Sequence, residues 1–300
     1  MKFRHIFEYA VFQVFTWLLE SMPLRYVQKT GAFLGGLVYR LGFRRSVTMQ
    51  NLRHAFPGWD NRSLEKLAQE AFKSIGTSFF ELLWSPQLFK AGIDRIAKVE
   101  NPEVLTEAKK KGKGVLVLTA HFGNWELMAQ GVVALVGFPM LLIVKTQSNR
   151  FIDRQINEWR TRLGNTVVPM EVSVREALRT LQEGNIVGLA ADQSAAKESL
   201  AVEFFGRAVP TFEGPATLSL KTGAAIILTL AIRQGDGTYR IRFEEVPKTD
   251  LTGYNPENVA ELTRRHVRLT ESLIRQYPEQ WMWMHKRWKH VETMTISNHG

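Results

Sequence analysis

Short apolar segments alternate with amphipathic segments through the middle of the chain. Six segments have the composition of β-strands, at 115–119, 140–145, 166–170, 186–191, 225–232 and 238–246. Segments with helical spacing of apolar residues lie between or after them, at 125–136, 151–163, 174–183, 214–222 and 256–275. This order predicts an α/β fold with a mostly parallel central sheet flanked by helices. Segment 238–246 alternates residue by residue, which predicts an antiparallel edge strand.

The first 45 residues follow a different pattern. Residues 7–19 are apolar apart from three polar positions that share one side of a helical wheel. As a helix they cover about 20 Å, less than the ~30 Å hydrocarbon core of a bilayer. They predict a helix in the membrane interface, with a second apolar segment at 31–45 beside it. We therefore expect an N-terminal hydrophobic helical membrane anchor over 1–45 and an α/β domain over 46–300. Two core helices of a soluble domain are the alternative.

The charge of the chain points to an anionic partner. Lys and Arg number 39 against 29 Asp and Glu, which gives a formal net charge of +10. No helix-turn-helix, zinc-finger or RNP motif accompanies these cations, so nucleic acid is disfavoured. The 8 Trp and 18 Phe favour a membrane surface instead. With 0 Cys, the chain has no thiol nucleophile and no thiolate metal site.

The motif WMWMHKRWKH at residues 281–290 combines tryptophan with basic residues. One interpretation is a surface that meets lipid or phosphate. The other is an edge strand whose Trp side chains cap the core, and the two are compatible.

The residues after the first buried strand are the first candidates for chemistry, because functional groups of α/β sheets gather at the carboxyl ends of strands. There, His121 is followed by Gly123, which permits a tight turn, by Asn124, which can cap the next helix, and by Glu126. The turn can bring Glu126 to His121, where its carboxylate would accept Nδ1–H and leave Nε2 to act as general base. The alternative is a polar strand-end residue and an ordinary first-turn acid.

Several ordered motifs together resemble the bacterial lipid A late acyltransferase (lauroyl/myristoyl acyltransferase) family. They cover nearly the whole chain: HFGNWE at 121–126, LAADQ at 189–193, residues 202–227 and WMWMHKRWK at 281–289. The resemblance implies a glycerolipid-acyltransferase-like fold and an O-acyltransferase at the cytoplasmic face of the inner membrane. Such an enzyme moves a fatty acyl chain from a thioester to a hydroxyl of a phosphorylated glycolipid, here with a lipid A precursor as the favoured acceptor.

The resemblance also assigns roles to individual residues. His121 would be the general base, supported by Glu126, and the acceptor hydroxyl would attack the thioester directly. Substrate-binding residues would be Arg160, which is preferred to Arg162, together with Asp192 and Arg207; solvated cations and a turn acid are the alternatives. Further residues near the site or the interface would be Asn124, Gln193, His285 and Arg287.

The resemblance implies no metal and no cofactor beyond the co-substrate, which is acyl carrier protein or CoA carrying the acyl chain. The expected partners are that thioester, a phosphorylated glycolipid and the membrane, without nucleic acid. An acyltransferase for another glycolipid or a lysophospholipid, using acyl-CoA, is the alternative function. A non-catalytic basic protein that binds membrane surfaces is a more distant one.

Overall fold

The structure is a computed structural model that describes residues 2–291. The helices in that range are α1 (Lys2–Glu20), α2 (Leu24–Arg40), α3 (Arg45–Ala55), α4 (Asn61–Leu83), α5 (Ser85–Ala91), α6 (Glu103–Lys110), α7 (Trp125–Val136), α8 (Arg150–Thr161), α9 (Ser173–Gln182), α10 (Gly214–Thr222) and α11 (Pro256–Gln276). The strands are β1 (Ala97–Val99), β2 (Val115–Thr119), β3 (Met140–Val144), β4 (Thr166–Pro169), β5 (Ile186–Ala190), β6 (Ala201–Phe204), β7 (Arg207–Pro210), β8 (Ala225–Arg233) and β9 (Tyr239–Glu245).

Seven of these strands form one mixed sheet, in the order β1-β9-β8-β2-β5-β3-β4. Strands β8, β2, β5, β3 and β4 run parallel to one another, and β9 pairs antiparallel with β8. The predicted α/β fold with a mostly parallel central sheet is therefore confirmed. The predicted edge position of 238–246 is wrong, because the short strand β1 pairs parallel with the outer side of β9.

The sheet is covered by helices on both faces. Alternate residues of β2 belong to two different hydrophobic clusters: Leu116 and Leu118 pack into one, and Val115 and Val117 into the other. Every residue of β2 is buried. A strand buried on both faces needs apolar residues at nearly every position, and this explains the almost continuous apolar sequence of β2.

The predicted N-terminal membrane anchor is wrong. Between residues 2 and 291, no helix is long and apolar enough to cross a membrane. Two of the polar residues that interrupt the apolar pattern of α1 instead bind α8 and its cap: Glu8 Oε2 accepts from Asn149 Nδ2 at 3.0 Å, and Gln13 Nε2 donates to Gln155 Oε1 at 3.2 Å. The division into 1–45 and 46–300 stays a prediction.

Helix α2 packs closely against α4 through small residues. A Cβ atom added at Gly35 would lie 2.1 Å from the carbonyl oxygen of Phe72, and one at Gly76 would lie 2.3 Å from that of Gly31. Side chains at these positions would force the two helices apart. This contact fixes α4, which carries several polar side chains that support the candidate site.

Candidate active site

His121 and Asp192 come together at the carboxyl ends of β2 and β5. These two strands are adjacent and parallel, and Thr119 pairs with Ala190 in their register. The chain stays paired one residue further, since the Ala191 N–H donates to the Thr119 carbonyl oxygen at 3.0 Å. Both side chains therefore leave the sheet at the same rim, as expected for functional groups of an open α/β sheet.

The Asp192 carboxylate is buried and accepts three hydrogen bonds. Oδ1 lies 2.8 Å from His121 Nδ1, and Oδ2 accepts from the His121 backbone N–H at 2.9 Å and from Trp281 Nε1 at 2.8 Å. Burial on its own would raise the pKa of Asp192, but the charge of His121 and these donors outweigh it and lower the pKa to about 2. Asp192 is therefore a carboxylate over the physiological pH range.

The imidazole of His121 is held on its Nδ1 side and remains partly accessible, with its side chain 22% exposed. Burial alone would lower its pKa, yet the charge and hydrogen bond of Asp192, with the charge of Glu126, raise it. The imidazole lies beside the Trp125 ring, with the two ring centroids 5.2 Å apart. The side-chain nitrogen Nε2 of Gln193 is 3.3 Å from His121 Nε2. An ionised acceptor on Nδ1 favours the neutral tautomer that has its lone pair on Nε2.

Glu126, expected at His121, forms an ion pair with Arg160 instead. Arg160 Nε and Nη2 donate to the two carboxylate oxygens at 2.9 and 2.6 Å, and Nη1 donates to Asn157 Oδ1 at 3.0 Å. Both side chains are largely buried, at 15% and 17% exposure. The carboxylate raises the pKa of Arg160 against the effect of burial. The pair joins the first turn of α7 to the last turn of α8.

The turn that carries His121 depends on Gly123. Its φ of +52° lies in the left-handed region, and an added Cβ would come 2.0 Å from the Ala231 carbonyl oxygen on β8. The Gly123 carbonyl oxygen accepts from Ser78 Oγ on α4. Asn124 then caps α7, because its Oδ1 accepts from the Leu127 N–H at 2.8 Å.

A buried ion pair lies behind this turn. Glu81 Oε2 on α4 accepts from Asn124 Nδ2 at 2.9 Å, from Arg233 Nη2 at 3.2 Å and from the Tyr239 hydroxyl at 2.5 Å. Burial and the neighbouring carboxylate raise the pKa of Tyr239 well above its ordinary value. Arg233 Nη2 also donates to Ser78 Oγ at 2.8 Å. The network therefore ties the cap of α7 to α4, β8 and β9.

The C-terminal segment, residues 278–291, closes the site from the other side. The Gly123 N–H donates to the Gln280 carbonyl oxygen at 2.9 Å, and the Met282 N–H donates to that of His121 at 3.0 Å. This segment is not a strand, and it buries its Trp side chains, 281, 283 and 288, to 5% exposure or less. They belong to the core rather than to a surface that meets lipid.

His285 and Arg287 lie in this segment. His285 Nε2 accepts from the Ser194 N–H at 3.2 Å, and burial lowers its pKa to about 4, so the ring is neutral. Arg287 is 2% exposed and donates to the Pro210 carbonyl oxygen at 2.6 Å and to Thr211 Oγ1 at 2.9 Å. Burial lowers the pKa of Arg287 to about 10. His285 therefore fixes the loop that follows Asp192, and Arg287 fixes the end of β7.

Two predicted arginines lie apart from this cluster. The guanidinium of Arg162 stacks 5.1 Å from the ring centre of Phe89 on α5. Arg207 is exposed at the start of β7, in a β6–β7 hairpin whose turn residues Phe205 and Gly206 both have positive φ. The structure brings together His121, Asp192 and Gln193. Asn124 is bonded to Glu81 behind the turn, and Glu126, whose charge acts on His121, is paired with Arg160.

Three contributors to this arrangement were not predicted: Trp281, Gln280 and the ion pair of Glu81 with Arg233. The Trp-rich motif was a usable signal for Trp281, but its contact with Asp192 spans 89 positions along the chain. Among residues 2–291, no group of three or more His, Asp or Glu side chains is placed to hold a metal ion.

The fold and the His121–Asp192 pair define an α/β enzyme site suited to proton transfer. The family model described as bacterial lipid A biosynthesis acyltransferase matches residues 1–290. The chain therefore belongs to this acyltransferase family and is an enzyme of that class.

Similar individual proteins support the assignment to this family. The chain is 26% identical to the lipid A biosynthesis palmitoleoyltransferase of Escherichia coli K12, over 91% of this chain and 88% of the relative. It is 24% identical to the lauroyltransferase of that organism over the same shares. A phosphatidylinositol mannoside acyltransferase of Mycolicibacterium smegmatis is 26% identical over 61% of this chain and 60% of its own.

Proposed function

We propose that the protein transfers a fatty acyl chain from an acyl thioester to a hydroxyl of a phosphorylated glycolipid, with His121 as general base. The observation that carries this proposal is the 2.8 Å contact between His121 Nδ1 and the buried Asp192 carboxylate. A carboxylate there holds the proton of the neutral ring on Nδ1, which leaves the Nε2 lone pair to take the proton of the acceptor. His285 is a poorer base, because burial lowers its pKa to about 4, whereas the pKa of His121 is raised.

In the reaction, the acceptor oxygen bonds to the thioester carbonyl carbon while its proton moves to His121 Nε2. The tetrahedral intermediate collapses, the C–S bond breaks, and the leaving thiolate of acyl carrier protein or CoA takes the proton from His121 Nε2, which restores the neutral base. Positive charge develops on the imidazole in between, and the negative charges of Asp192 and Glu126 favour it, since both raise the pKa of His121. This route needs no covalent acyl-enzyme.

We assign Glu126 an indirect role beside that of Asp192. Its two-point ion pair fixes the Arg160 guanidinium, with 15% of that side chain still exposed, and its own charge acts on His121. A fixed, permanently charged guanidinium suits a phosphate group or the oxyanion of the tetrahedral intermediate. Arg160 is preferred to Arg162 for this task, because Arg162 lies over Phe89.

A lipid A precursor is the favoured acceptor, because the E. coli relatives named for lipid A biosynthesis match 91% of the chain. A different glycolipid is the second candidate, supported by the phosphatidylinositol mannoside acyltransferase over 61% of the chain. We propose that the reaction takes place at the cytoplasmic face of the inner membrane, since the acceptor is a membrane lipid and the thioester donors are made in the cytoplasm.

The test is an acyl-transfer assay on purified protein in detergent micelles. Labelled acyl–acyl carrier protein and acyl-CoA are each offered a lipid A precursor, a phosphatidylinositol mannoside and a lysophospholipid. We expect transfer to the lipid A precursor, reduced roughly 10² to 10⁴ fold in His121→Ala, as on loss of a general base, while the variant stays folded with a lower urea-unfolding midpoint, because Asp192 loses its imidazole partner. Transfer to another acceptor alone would replace the substrate, and undiminished transfer in the variant would refute the role of His121.

A further inference from the structure

Two neighbouring tryptophans of the C-terminal segment differ in what they bind. Trp281 and Trp283 are 2% and 1% exposed, and their ring centroids lie 4.6 Å apart. The Trp283 Nε1–H donates to the Pro278 carbonyl oxygen at 2.6 Å, a contact within the segment. The Trp281 Nε1–H donates instead to Asp192 Oδ2 at 2.8 Å. Of two equally buried indoles, one is therefore directed at the carboxylate of the candidate site.

We propose that Trp281 is a positioning residue that holds the Asp192 carboxylate against His121 and so sets the proton affinity of the base. The last torsion of an aspartate is soft, so a single contact leaves its carboxylate free to turn. Here Oδ2 is held by two N–H donors, from Trp281 and from the His121 backbone, while Oδ1 faces Nδ1. Hydrogen bonds to an ionised group are the stronger kind. Loss of the indole donor would loosen the contact of Oδ1 with Nδ1.

The backbone around Trp281 supports this role. Phe122 and Trp281 form an isolated antiparallel bridge between the His121 turn and the C-terminal segment. Gln280 Oε1 accepts from the Arg233 N–H at 2.8 Å, and its Nε2 donates to the Arg233 carbonyl oxygen at 2.9 Å. The start of the segment is thus fixed to the end of β8. Trp281 also contacts Asp192, which follows β5. The C-terminal segment is therefore bonded to the ends of three adjacent strands, β8, β2 and β5.

The experiment compares Trp281→Phe with Trp283→Phe, since each removes one indole N–H from the same buried cluster. The readouts are the pH dependence of kcat/KM and the pKa of His121, measured by NMR on ring-labelled histidine without substrate. In Trp281→Phe we expect kcat to fall about tenfold with little change in KM, as for one lost hydrogen bond to a charged group. The pKa of His121 should fall, because its contact with Asp192 raises it, and the acid limb should move to lower pH. Trp283→Phe should change neither kcat nor the pKa of His121.

Equal losses in both variants with an unchanged His121 pKa would overturn the proposal and leave Trp281 as a core residue. If Trp281→Phe does not fold, benzothienylalanine at position 281 keeps the bicyclic ring and replaces N–H by sulfur, and the same outcomes apply. The proposal rests on His121 as the base of the proposed function, yet the two fail separately. Absence of transfer by the wild type would refute the function, whereas the NMR titration tests the positioning of Asp192 without any substrate.

Discussion

Replacing Asp192 with Asn tests the electrostatics of the candidate site, because the side chain keeps its shape and loses its charge. Burial disfavours the Asp192 carboxylate, but the charge and hydrogen bonds of His121 and the Trp281 donor lower its pKa from 3.8 to about 2. A lowering of this size corresponds to about 2 kcal/mol of stabilisation of the folded state. We expect Asp192→Asn to lose about that much free energy of unfolding in urea titrations near pH 5.

The loss should depend on pH in a defined window. Stability from the lowered pKa of Asp192 is present above about 3.8 and disappears as the pH falls towards 2. Stability from the raised pKa of His121 is present below its ordinary 6.5 and disappears as the pH rises through the raised value. The difference between wild type and Asp192→Asn should therefore be largest between about pH 4 and 6.5 and should shrink as the pH rises through the raised pKa of His121.

Activity gives a second measurement on the same variant. Because Asp192→Asn removes the negative charge beside His121 Nδ1, acyl transfer should fall by roughly 10² to 10⁴ fold. The pKa of His121 should fall as well, so the acid limb of kcat/KM should move to lower pH. The matched control is Asp250→Asn. The pKa of Asp250 is also lowered to about 2, by hydrogen bonds from Arg265, but this carboxylate is exposed, so solvent screening leaves the pair little net effect. Equal effects of the two substitutions on stability and activity would refute the reasoning.

Two further predictions concern the turn and the neighbouring wall. Gly123→Ala should cost about 2–4 kcal/mol in urea unfolding, because its Cβ would lie 2.0 Å from the Ala231 carbonyl oxygen. Gly137→Ala, at φ +83° with open space around its Cβ, should cost about 1 kcal/mol. Glu126→Gln should reduce acyl transfer about 10- to 100-fold, since it removes the charge that fixes Arg160. An unchanged rate in that variant would exclude the Glu126 pair from the reaction.

The centre of the main sheet was predictable because β2 and β8 are buried at all or nearly all positions and β5 at three of five. Predicted strand 115–119 coincides with β2, and predicted helix 125–136 coincides with α7. The elements that were missed lack such a signal. Strand β1 has only three residues. The β6–β7 hairpin depends on Phe205 at φ +51°, a backbone conformation that phenylalanine rarely adopts and that cannot be predicted from its sequence. Its ring is held by contacts with Phe56 and Trp283, which are distant in sequence.

The partner of His121 Nδ1 shows where local sequence stops being informative. Glu126 is only five residues away, but the start of α7 directs it to Arg160 on α8. Asp192 is 71 residues away, and it reaches the ring because β5 lies directly beside β2. Their register pairs Thr119 with Ala190, and the two site residues each follow two positions later. Because β2 is apolar on both faces, an apolar–polar alternation cannot set this register, and the fit of its side chains in the two hydrophobic clusters sets it instead. The packing of the core therefore aligns the proposed base with its carboxylate.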